Sequence, residues 1–305
     1  MKTSRITRRI INSSQFPPYE QKRRGLIGWL RMRILKLLAL LPLKMAQTVF
    51  LAFNGENGDT ITVFKNVTKW KALEVLYTYP ERRKKGKISL TDKFWQNFLD
   101  NARSIRNRLI LVKKELNLAI QETSKDKELI HILSIGSGSA RSVLETVSSY
   151  NGEFPNLQLK VMLIDMDPTA VEFSGILARK FNINGYATKL TGNFFRLERD
   201  AANFDPEIVE LVGLLDYLTD KQATVLLNKV FRILAPKGYV ITGNITPNIE
   251  VPFITKGVNW PMIYRTPKEL QNLLEKAGFS SENIRIKQEP LGIHLTAIAQ
   301  KLSNP

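Results

Sequence analysis

The sequence predicts an α/β protein with a doubly wound, seven-stranded and mostly parallel sheet, an antiparallel C-terminal hairpin and a mainly helical N-terminal region. Beyond residue 126, short apolar runs alternate with segments of helical period, which is typical of parallel strands joined by helices. The last two apolar runs, Ile284–Lys287 and His294–Gln300, are too close for a crossover helix and are expected to pair as a hairpin. Residues 1–125 lack this alternation and contain longer helical stretches.

Composition and charge exclude several classes of protein. The chain has 305 residues, no Cys and two His, which excludes disulfide scaffolds, thiol catalysis and iron–sulfur clusters, and we expect no metal site. The net charge of +17 lies in residues 1–125, which hold 26 Lys and Arg against 9 Asp and Glu, whereas residues 126–305 hold 19 of each. We therefore predict a basic region, 1–125, that contacts an anionic partner or covers the site, and a second region, 126–305, that carries the chemistry.

The first part of the basic region lacks the apolar core of a secretory signal, and we therefore predict a cytoplasmic protein. An apolar helix is predicted over Leu26–Leu41 and should end at Pro42. Arg33 and Lys36 share one face of it and Arg31 lies nearly opposite, and these charges argue against a membrane span. Two interpretations stay open: a buried helix or homodimer contact, and a helix that lies on the inner face of a membrane.

The rest of the basic region predicts a short strand at Thr60–Phe64, a helix at Lys69–Tyr79 and a long helix over Phe94–Gln121. The basic run at 81–87 is either a solvated loop or an anion-binding patch. The long helix should pack through its apolar stripe, and its opposite, basic face should stay in solvent; that face carries Arg103, Arg106, Arg108, Lys113 and Lys114.

The C-terminal region supplies the remaining strands and helices. The strands are predicted at Ile130–Ile135, Leu159–Ile164, Ala187–Leu190, Glu207–Leu211 and Tyr239–Gly243. The helices are predicted at Ala140–Tyr150, Thr169–Phe181, Lys221–Leu234 and Pro267–Ala277. Because the carboxyl ends of parallel strands share one edge of the sheet, the residues that follow these strands should form the site.

A glycine-rich turn follows the first predicted strand and carries the strongest local signal. Gly136 and Gly138 would let the backbone approach a ligand closely before the next helix begins. As a dinucleotide fingerprint, the motif would place Arg141 where a third glycine is needed, which disfavours NAD. As the shorter loop of S-adenosylmethionine enzymes, it places the small Ala140 there instead.

Polar residues at the ends of the next strands extend this signal. Asp165 can accept hydrogen bonds from both ribose hydroxyls, whereas Asp167 is better placed to cap a helix. Asn193 can contact the adenine edge while Phe194 packs on its face. The segment Val209–Leu218 should bring further residues toward a bound sulfonium, namely Gly213, Leu214, Asp216 and Tyr217.

The order of these motifs, with Phe231–Asn244 and the closing hairpin, resembles the class I S-adenosylmethionine-dependent methyltransferases over about residues 128–301. The resemblance implies a Rossmann-like methyltransferase fold with S-adenosylmethionine as cofactor. It implies a cofactor site made of Ser134, Gly136, Ser137, Gly138, Asp165, Met166, Asn193, Phe194, Gly213 and Leu214. Ser134 stands where an acidic residue is common in this family, so that it could hydrogen-bond the methionine amino group only as a neutral partner.

Three further segments, Asn101–Leu116, Gly243–Asn248 and Trp260–Leu270, are similar to a mostly uncharacterised group of bacterial methyltransferases. That group includes enzymes implicated in forming hydroxy fatty acid methyl esters, which implies a small-molecule or lipid-like acceptor. A carboxylate acceptor needs no general base, only placement and desolvation.

The residues expected to reach the acceptor are polar or aromatic. Tyr217, Tyr264 and Arg265 are the candidate catalytic residues, and Asp216, Asn244 and Trp260 are the candidate substrate-binding residues. His131 and His294 are expected to be structural. Two alternatives remain: an RNA methyltransferase with residues 1–125 as its RNA-binding arm, and a protein that transfers another part of the cofactor.

Overall fold

The computed structural model describes residues 16–52, 58–86, 88–150, 157–183 and 187–302. Seven strands form one sheet in the order β3-β2-β1-β4-β5-β7-β6, which confirms the predicted fold. The strands are β1 (Leu129–Ile135), β2 (Gln158–Asp165), β3 (Ala187–Thr191), β4 (Ile208–Leu211), β5 (Tyr239–Ile245), β6 (Ile284–Gln288) and β7 (His294–Gln300). Residues 1–15, from which a cytoplasmic location is predicted, lie outside the described part of the chain.

The sheet is parallel from β3 to β5 and antiparallel at β7 and β6. The central strands are apolar along most of their length because helices cover both faces, as is general for parallel sheets. The predicted hairpin of β6 and β7 is confirmed, since Ile284 pairs with Ala299 and Gln288 with Leu295.

Helices cover the sheet, and α8, α10 and α12 among them begin at strong capping residues. They are α7 (Arg141–Ser148), α8 (Pro168–Lys180), α9 (Leu197–Asp200), α10 (Asp220–Ile233), α11 (Val251–Lys256) and α12 (Pro267–Lys276). The Asp167 side chain accepts a hydrogen bond from the Thr169 amide at 2.9 Å, which confirms its capping role. Thr219 and Thr266 each start a helix with a reciprocal capping box.

In the described ranges, six helices precede the sheet: α1 (Gly25–Leu40), α2 (Leu43–Leu51), α3 (Asp59–Lys65), α4 (Trp70–Lys84), α5 (Leu90–Phe98) and α6 (Asp100–Thr123). The predicted strand at Thr60–Phe64 is wrong, because the Asp92 carboxylate accepts hydrogen bonds from the Thr60 amide and hydroxyl and starts α3 there. The basic run at 81–87, predicted as either a solvated loop or an anion-binding patch, forms the last turn of α4 as far as Lys84, and its anion-binding role stays a prediction. Among the described residues, no helix is long and apolar enough to cross a bilayer.

The single helix predicted over Phe94–Gln121 is wrong, because it breaks at Leu99 into α5 and α6. The Glu250 carboxylate accepts hydrogen bonds from the amides of Asp100 and Asn101 at 2.7 and 2.8 Å. These amides belong to the first turn of α6 and have no partner within the helix, so a distant carboxylate sets where α6 begins.

The basic face of α6 is another correction, since Arg103, Arg106 and Arg108 are buried instead of solvated. Glu20 pairs with Arg103 at 2.9 Å and with Arg106 at 2.5 Å. The segment that carries Glu20 therefore covers this face and compensates its charge.

The second half of α6 packs in the same hydrophobic core as the sheet. Val112, Leu116 and Ile120 share that core with Ile130 and Ile132 of β1. The domain boundary near residue 126 stays a prediction, and the two predicted regions share a core across it.

Candidate active site

A crevice of about 490 Å³ lies at the carboxyl edge of β1, β2 and β4, as expected for a doubly wound sheet. The glycine turn forms its floor. Gly136 and Gly138 have φ values of +62° and +54°, which side chains rarely adopt. A Cβ on Gly136 would lie 3.3 Å from the Leu214 side chain, so a larger residue would crowd the crevice.

The turn is held by Asp165 at the end of β2. Its carboxylate accepts hydrogen bonds from the Gly138 amide at 2.7 Å and from the Asp167 amide at 2.9 Å. Each carboxylate oxygen keeps one lone pair, and the side chain is only half-buried. Asp165 therefore fixes the loop and can still accept hydrogen bonds from a ligand, beside the exposed Met166.

Ser134 does not face the crevice as predicted. It is fully buried, and its hydroxyl donates a hydrogen bond to the Glu210 carboxylate at 2.6 Å. The two residues are register partners on β1 and β4. The acidic group expected on β1 thus stands on the neighbouring strand, where Glu210 lines the crevice.

Glu210 is a site residue that the sequence prediction missed. Burial raises its pKa to about 6, against the hydrogen bonds from Ser134 and Ser142 that lower it. The available sequence signal was an acidic residue within the apolar run of β4. A charged group buried there without a partner would lower the stability of the fold.

Asn193 also differs from its predicted role at the adenine edge. Its side chain accepts a hydrogen bond from the Phe195 amide at 2.9 Å and starts a short 3₁₀ helix, and it does not line the crevice. Phe194 does line the crevice, next to Gly192.

An apolar cavity of about 60 Å³ lies between the N-terminal helices and the same edge of the sheet. Asp216, Tyr217 and Trp260 come together there, and the Trp260 indole donates a hydrogen bond to the Tyr217 hydroxyl at 2.8 Å. Burial raises the pKa of both Asp216 and Tyr217. The Asp216 carboxylate accepts a hydrogen bond from the Ile245 amide at 2.7 Å.

Arg108 and His294 are the other ionisable groups near Asp216 in this cavity, and both were missed as site residues. One Arg108 nitrogen lies 3.8 Å from the Asp216 carboxylate, and another donates to the Tyr77 hydroxyl at 2.8 Å. Within the described part of the chain, neither Arg108 Nε nor either ring nitrogen of His294 has a hydrogen-bond partner. Burial, and then the Arg108 charge, hold the pKa of His294 well below its usual value, so its ring is neutral.

The crevice and the apolar cavity adjoin. Leu73, Arg108, Gly213 and Tyr217 line both of them. A molecule in the cavity and a molecule in the crevice would therefore meet at these four residues.

Three other predicted residues line neither space. Arg265 is buried and engages Asp220, Asn244 and backbone carbonyls, so its guanidinium holds β5 against the loop after β4 instead of binding a substrate. The Asn244 amide donates to the Ile245 and Ile263 carbonyls, which makes it part of the same clamp. Tyr264 lies beside them and outside both linings.

Comparison with known proteins identifies the family of the chain. The profile of a family described as "Putative methyltransferase" matches residues 50–301, which is most of the chain. The chain belongs to this methyltransferase family. The predicted S-adenosylmethionine-dependent enzyme class and cofactor are thereby confirmed. No curated protein matches the chain significantly.

Solved structures agree in fold. A protein of Bordetella parapertussis described as a "possible exported protein" has 17% identity and a TM-score of 0.59, covering 90% of this chain and 97% of its own. The CurJ carbon methyltransferase has 15% identity and a TM-score of 0.54, covering 90% and 80%. Magnesium protoporphyrin IX methyltransferase from Synechocystis PCC 6803, with bound SAH, has 11% identity and a TM-score of 0.51, covering 75% and 97%.

The crevice of this methyltransferase fits its cofactor. The Ser137 hydroxyl is buried in the glycine turn with no hydrogen-bond partner among the described residues, although it borders open space. Buried polar groups are normally paired, so this one indicates a ligand atom. Asp165, Glu210 and the tight backbone at Gly136 and Gly138 supply the remaining polar surroundings.

Proposed function

We propose that this methyltransferase transfers the methyl group of S-adenosylmethionine to the carboxylate of an apolar, lipid-like acid and so forms a methyl ester. The observation that carries the proposal is the shared wall of the two spaces, formed by Leu73, Arg108, Gly213 and Tyr217. A cofactor in the crevice would there meet an acceptor in the apolar cavity.

The proposed cofactor contacts follow from the polar groups of the crevice. Asp165 would accept hydrogen bonds from the ribose hydroxyls, and Phe194 would pack on the adenine. Glu210 would take the place of Ser134 and pair with the methionine ammonium group. Gly213 and Leu214 would lie along the methionine chain, because they follow β4 at the middle of the edge.

The acceptor chemistry follows from the cavity. Its walls are mostly apolar, and they run from Gly213 at the sheet to Phe50 in α2. At about 60 Å³ it is small, and its mostly apolar walls favour an aliphatic chain. Entry of a longer chain would require α3–α5 to move apart.

Arg108 would hold the carboxylate of that acid. Its guanidinium is buried beside Asp216, and its Nε has no hydrogen-bond partner among the described residues. A buried donor of this kind is stabilised by an anionic oxygen. Because burial raises the pKa of Asp216, its carboxyl group loses its proton less readily and repels a second carboxylate less. Tyr217, held by Trp260, would pack against the reacting oxygen.

Bound S-adenosylmethionine supplies an electrophilic methyl group. The carboxylate oxygen forms the new bond to this carbon while the bond from carbon to sulfur breaks, so that S-adenosylhomocysteine and a methyl ester result. No proton is transferred, and the protein contributes alignment and exclusion of water. Arg108 sets the position of the oxygen, and the walls of the cavity exclude solvent.

One observation favours a second acceptor class. His294 is buried in the same cavity, and neither of its ring nitrogens has a hydrogen-bond partner in the described part of the chain, so it could accept a hydrogen bond from a hydroxyl acceptor. A hydroxyl acceptor would give a methyl ether, and its methylation would depend on His294. The two classes are therefore separable by product and by variant.

The test is an assay with methyl-labelled S-adenosylmethionine against fatty acids, hydroxy fatty acids, phenols and RNA. We expect a product from an acid that releases methanol in mild base, as esters do and ethers do not. Arg108→Gln should lower turnover at least tenfold, through one charge-assisted hydrogen bond of about 1.5–3 kcal/mol, while S-adenosylhomocysteine still binds. His294→Gln is the matched control and should keep most of the activity.

A base-stable product whose formation is lost in His294→Gln would replace the carboxylate by a hydroxyl acceptor. Methylation of RNA alone would replace the small acceptor altogether. An ester product made equally well by Arg108→Gln would refute the role given to that residue.

A further inference from the structure

Helix α1 buries the charged side chain of Arg31 and exposes most of its large apolar side chains. Arg31 is only 7% exposed, whereas Leu26, Leu37 and Leu40 are 77%, 66% and 80% exposed. A helix on the surface of a globular protein normally shows the opposite arrangement. The outward residues therefore need an environment other than water.

The inward contacts fix this orientation. The Arg31 guanidinium pairs with Asp100 at 2.8 Å, donates to the Phe98 carbonyl at 2.7 Å and also pairs with Glu250. Leu35, one turn further along, is buried in the core of the helical region. Because this network also caps α6, α1 cannot roll over to hide its apolar side.

The apolar surface continues beyond the turn at Pro42. Leu43, Met45 and Val49 of α2 are exposed, while Phe50 on the other side of α2 lines the acceptor cavity. We define the outer face as the exposed apolar side chains of α1 and α2. Single exposed apolar residues are common, but a contiguous patch over two consecutive helices marks an interaction surface.

The charges around the outer face have one sign. Residues 21–52 contain no Asp or Glu. The exposed Lys22 and Arg24 precede α1, and the exposed Arg33, Lys36 and Lys44 lie on α1 and α2. None of these five forms an ion pair with any residue in the described ranges. The Arg33 guanidinium lies 5.1 Å from the centre of the Trp29 ring, a pairing suited to a boundary between water and an apolar phase.

We propose that the outer face docks on the surface of an anionic lipid bilayer, with α1 and α2 lying in the interface. The apolar side chains would enter the acyl boundary while the basic side chains reach the headgroups. A second copy of the chain fits less well, because a twofold contact would set two identical basic faces against each other. RNA would use the charges but leave the leucines in water.

The experiment is co-sedimentation of the full chain with phosphatidylcholine vesicles, with and without phosphatidylglycerol. We expect binding that needs phosphatidylglycerol and weakens with salt. Leu30→Ser with Leu37→Ser should weaken it at least tenfold at unchanged charge. The matched control is Ile176→Ser with Val225→Ser, which are 46% and 43% exposed on α8 and α10 and should leave binding unchanged.

A charge variant tests whether the basic side chains reach the lipid headgroups. Arg33→Gln with Lys36→Gln should weaken binding to the anionic vesicles about thirtyfold, from roughly 1 kcal/mol for each basic residue at a membrane surface. All variants must bind S-adenosylhomocysteine and unfold like the parent, which shows that they are folded. Membrane binding is measured without turnover, so its failure is distinct from failure of the proposed reaction.

Three outcomes would overturn the proposal. The first is equal sedimentation of the outer-face variant and the control variant. The second is a dimer in light scattering that the leucine changes dissociate, with no vesicle binding, which would assign the face to a second copy. The third is tight RNA binding at physiological salt that excludes vesicles.

Discussion

Replacing Glu210 by Gln is expected to act in opposite directions on stability and on cofactor binding. Glu210 is fully buried, and its pKa of about 6 lies above its ordinary value of 4.5 because burial disfavours the charged form. A folded-state pKa above the unfolded one means that stability present at low pH is lost as pH rises through about 6. The ionised side chain therefore costs stability at neutral pH.

The size of this cost follows from the two pKa values. At about 1.4 kcal/mol for each pH unit, a pKa of about 6 in place of 4.5 corresponds to about 2 kcal/mol. Gln keeps the size and the hydrogen-bonding oxygen for Ser134 without the charge. We expect Glu210→Gln to raise the free energy of unfolding by about 2 kcal/mol at pH 8 and by little at pH 5.

The affinity for the cofactor should fall, whereas the free energy of unfolding should rise. Losing one charge-assisted hydrogen bond to the methionine ammonium costs about 1.5–3 kcal/mol, which is roughly 10- to 150-fold in affinity. Calorimetry with S-adenosylhomocysteine measures this contact, because that ligand keeps the ammonium group and lacks the sulfonium charge. The parent should bind more weakly below pH 6, whereas the variant should show little change between pH 5 and pH 7.

Ser142→Ala is the matched control, since it removes a longer hydrogen bond to Glu210 of 3.3 Å and leaves the charge in place. It should bind S-adenosylhomocysteine within a few-fold of the parent. Unchanged affinity in a folded Glu210→Gln protein, with the pH dependence of the parent retained, would refute the assignment of Glu210 to the ammonium group.

Three further changes test other contacts. Asp165→Ala should weaken S-adenosylhomocysteine binding about 10- to 150-fold in calorimetry, by loss of a charge-assisted hydrogen bond to the ribose, and unchanged affinity would remove that role. Glu250→Gln should lower the free energy of unfolding in urea by about 3–5 kcal/mol, because it leaves Arg31 buried with a weakened partner and α6 with a poorer cap, and a loss below 1 kcal/mol would contradict this. Ser89→Ala should cost about 0.5–2 kcal/mol by the same measurement, since Ser89 caps α5.

The centre of the sheet was predictable because β1, β4 and β5 are apolar on both faces, and several helices were predictable because they begin at strong capping residues. β7 was predicted with the bounds His294–Gln300 that the structure shows, and Asp167 was predicted as the cap of α8. These features depend on residues close together in sequence. The periodicity and capping of each segment therefore carried enough information.

The errors arose where a distant residue decides the local structure. Thr60–Phe64 has a β-branched pattern, yet Asp92, 32 residues later, accepts hydrogen bonds from Thr60 and favours a helix. Arg265 was predicted to meet the acceptor because a guanidinium suits a carboxylate, yet Asp220 and three oxygens from the β4 and β5 region enclose it. No local pattern contains these partners.

The buried ionisable groups indicate where in the molecule the chemistry takes place. Glu210, Arg108, Asp216 and His294 are all enclosed, and each costs stability or keeps unused hydrogen-bonding capacity. Elsewhere the chain compensates such groups: Arg106 has Glu20, and Arg31 has Asp100 and Glu250. Glu210, Arg108, Asp216 and His294 all border the crevice or the apolar cavity. Since a fold tolerates such costs mainly where a ligand repays them, the polar groups themselves mark the space in which the two substrates should meet.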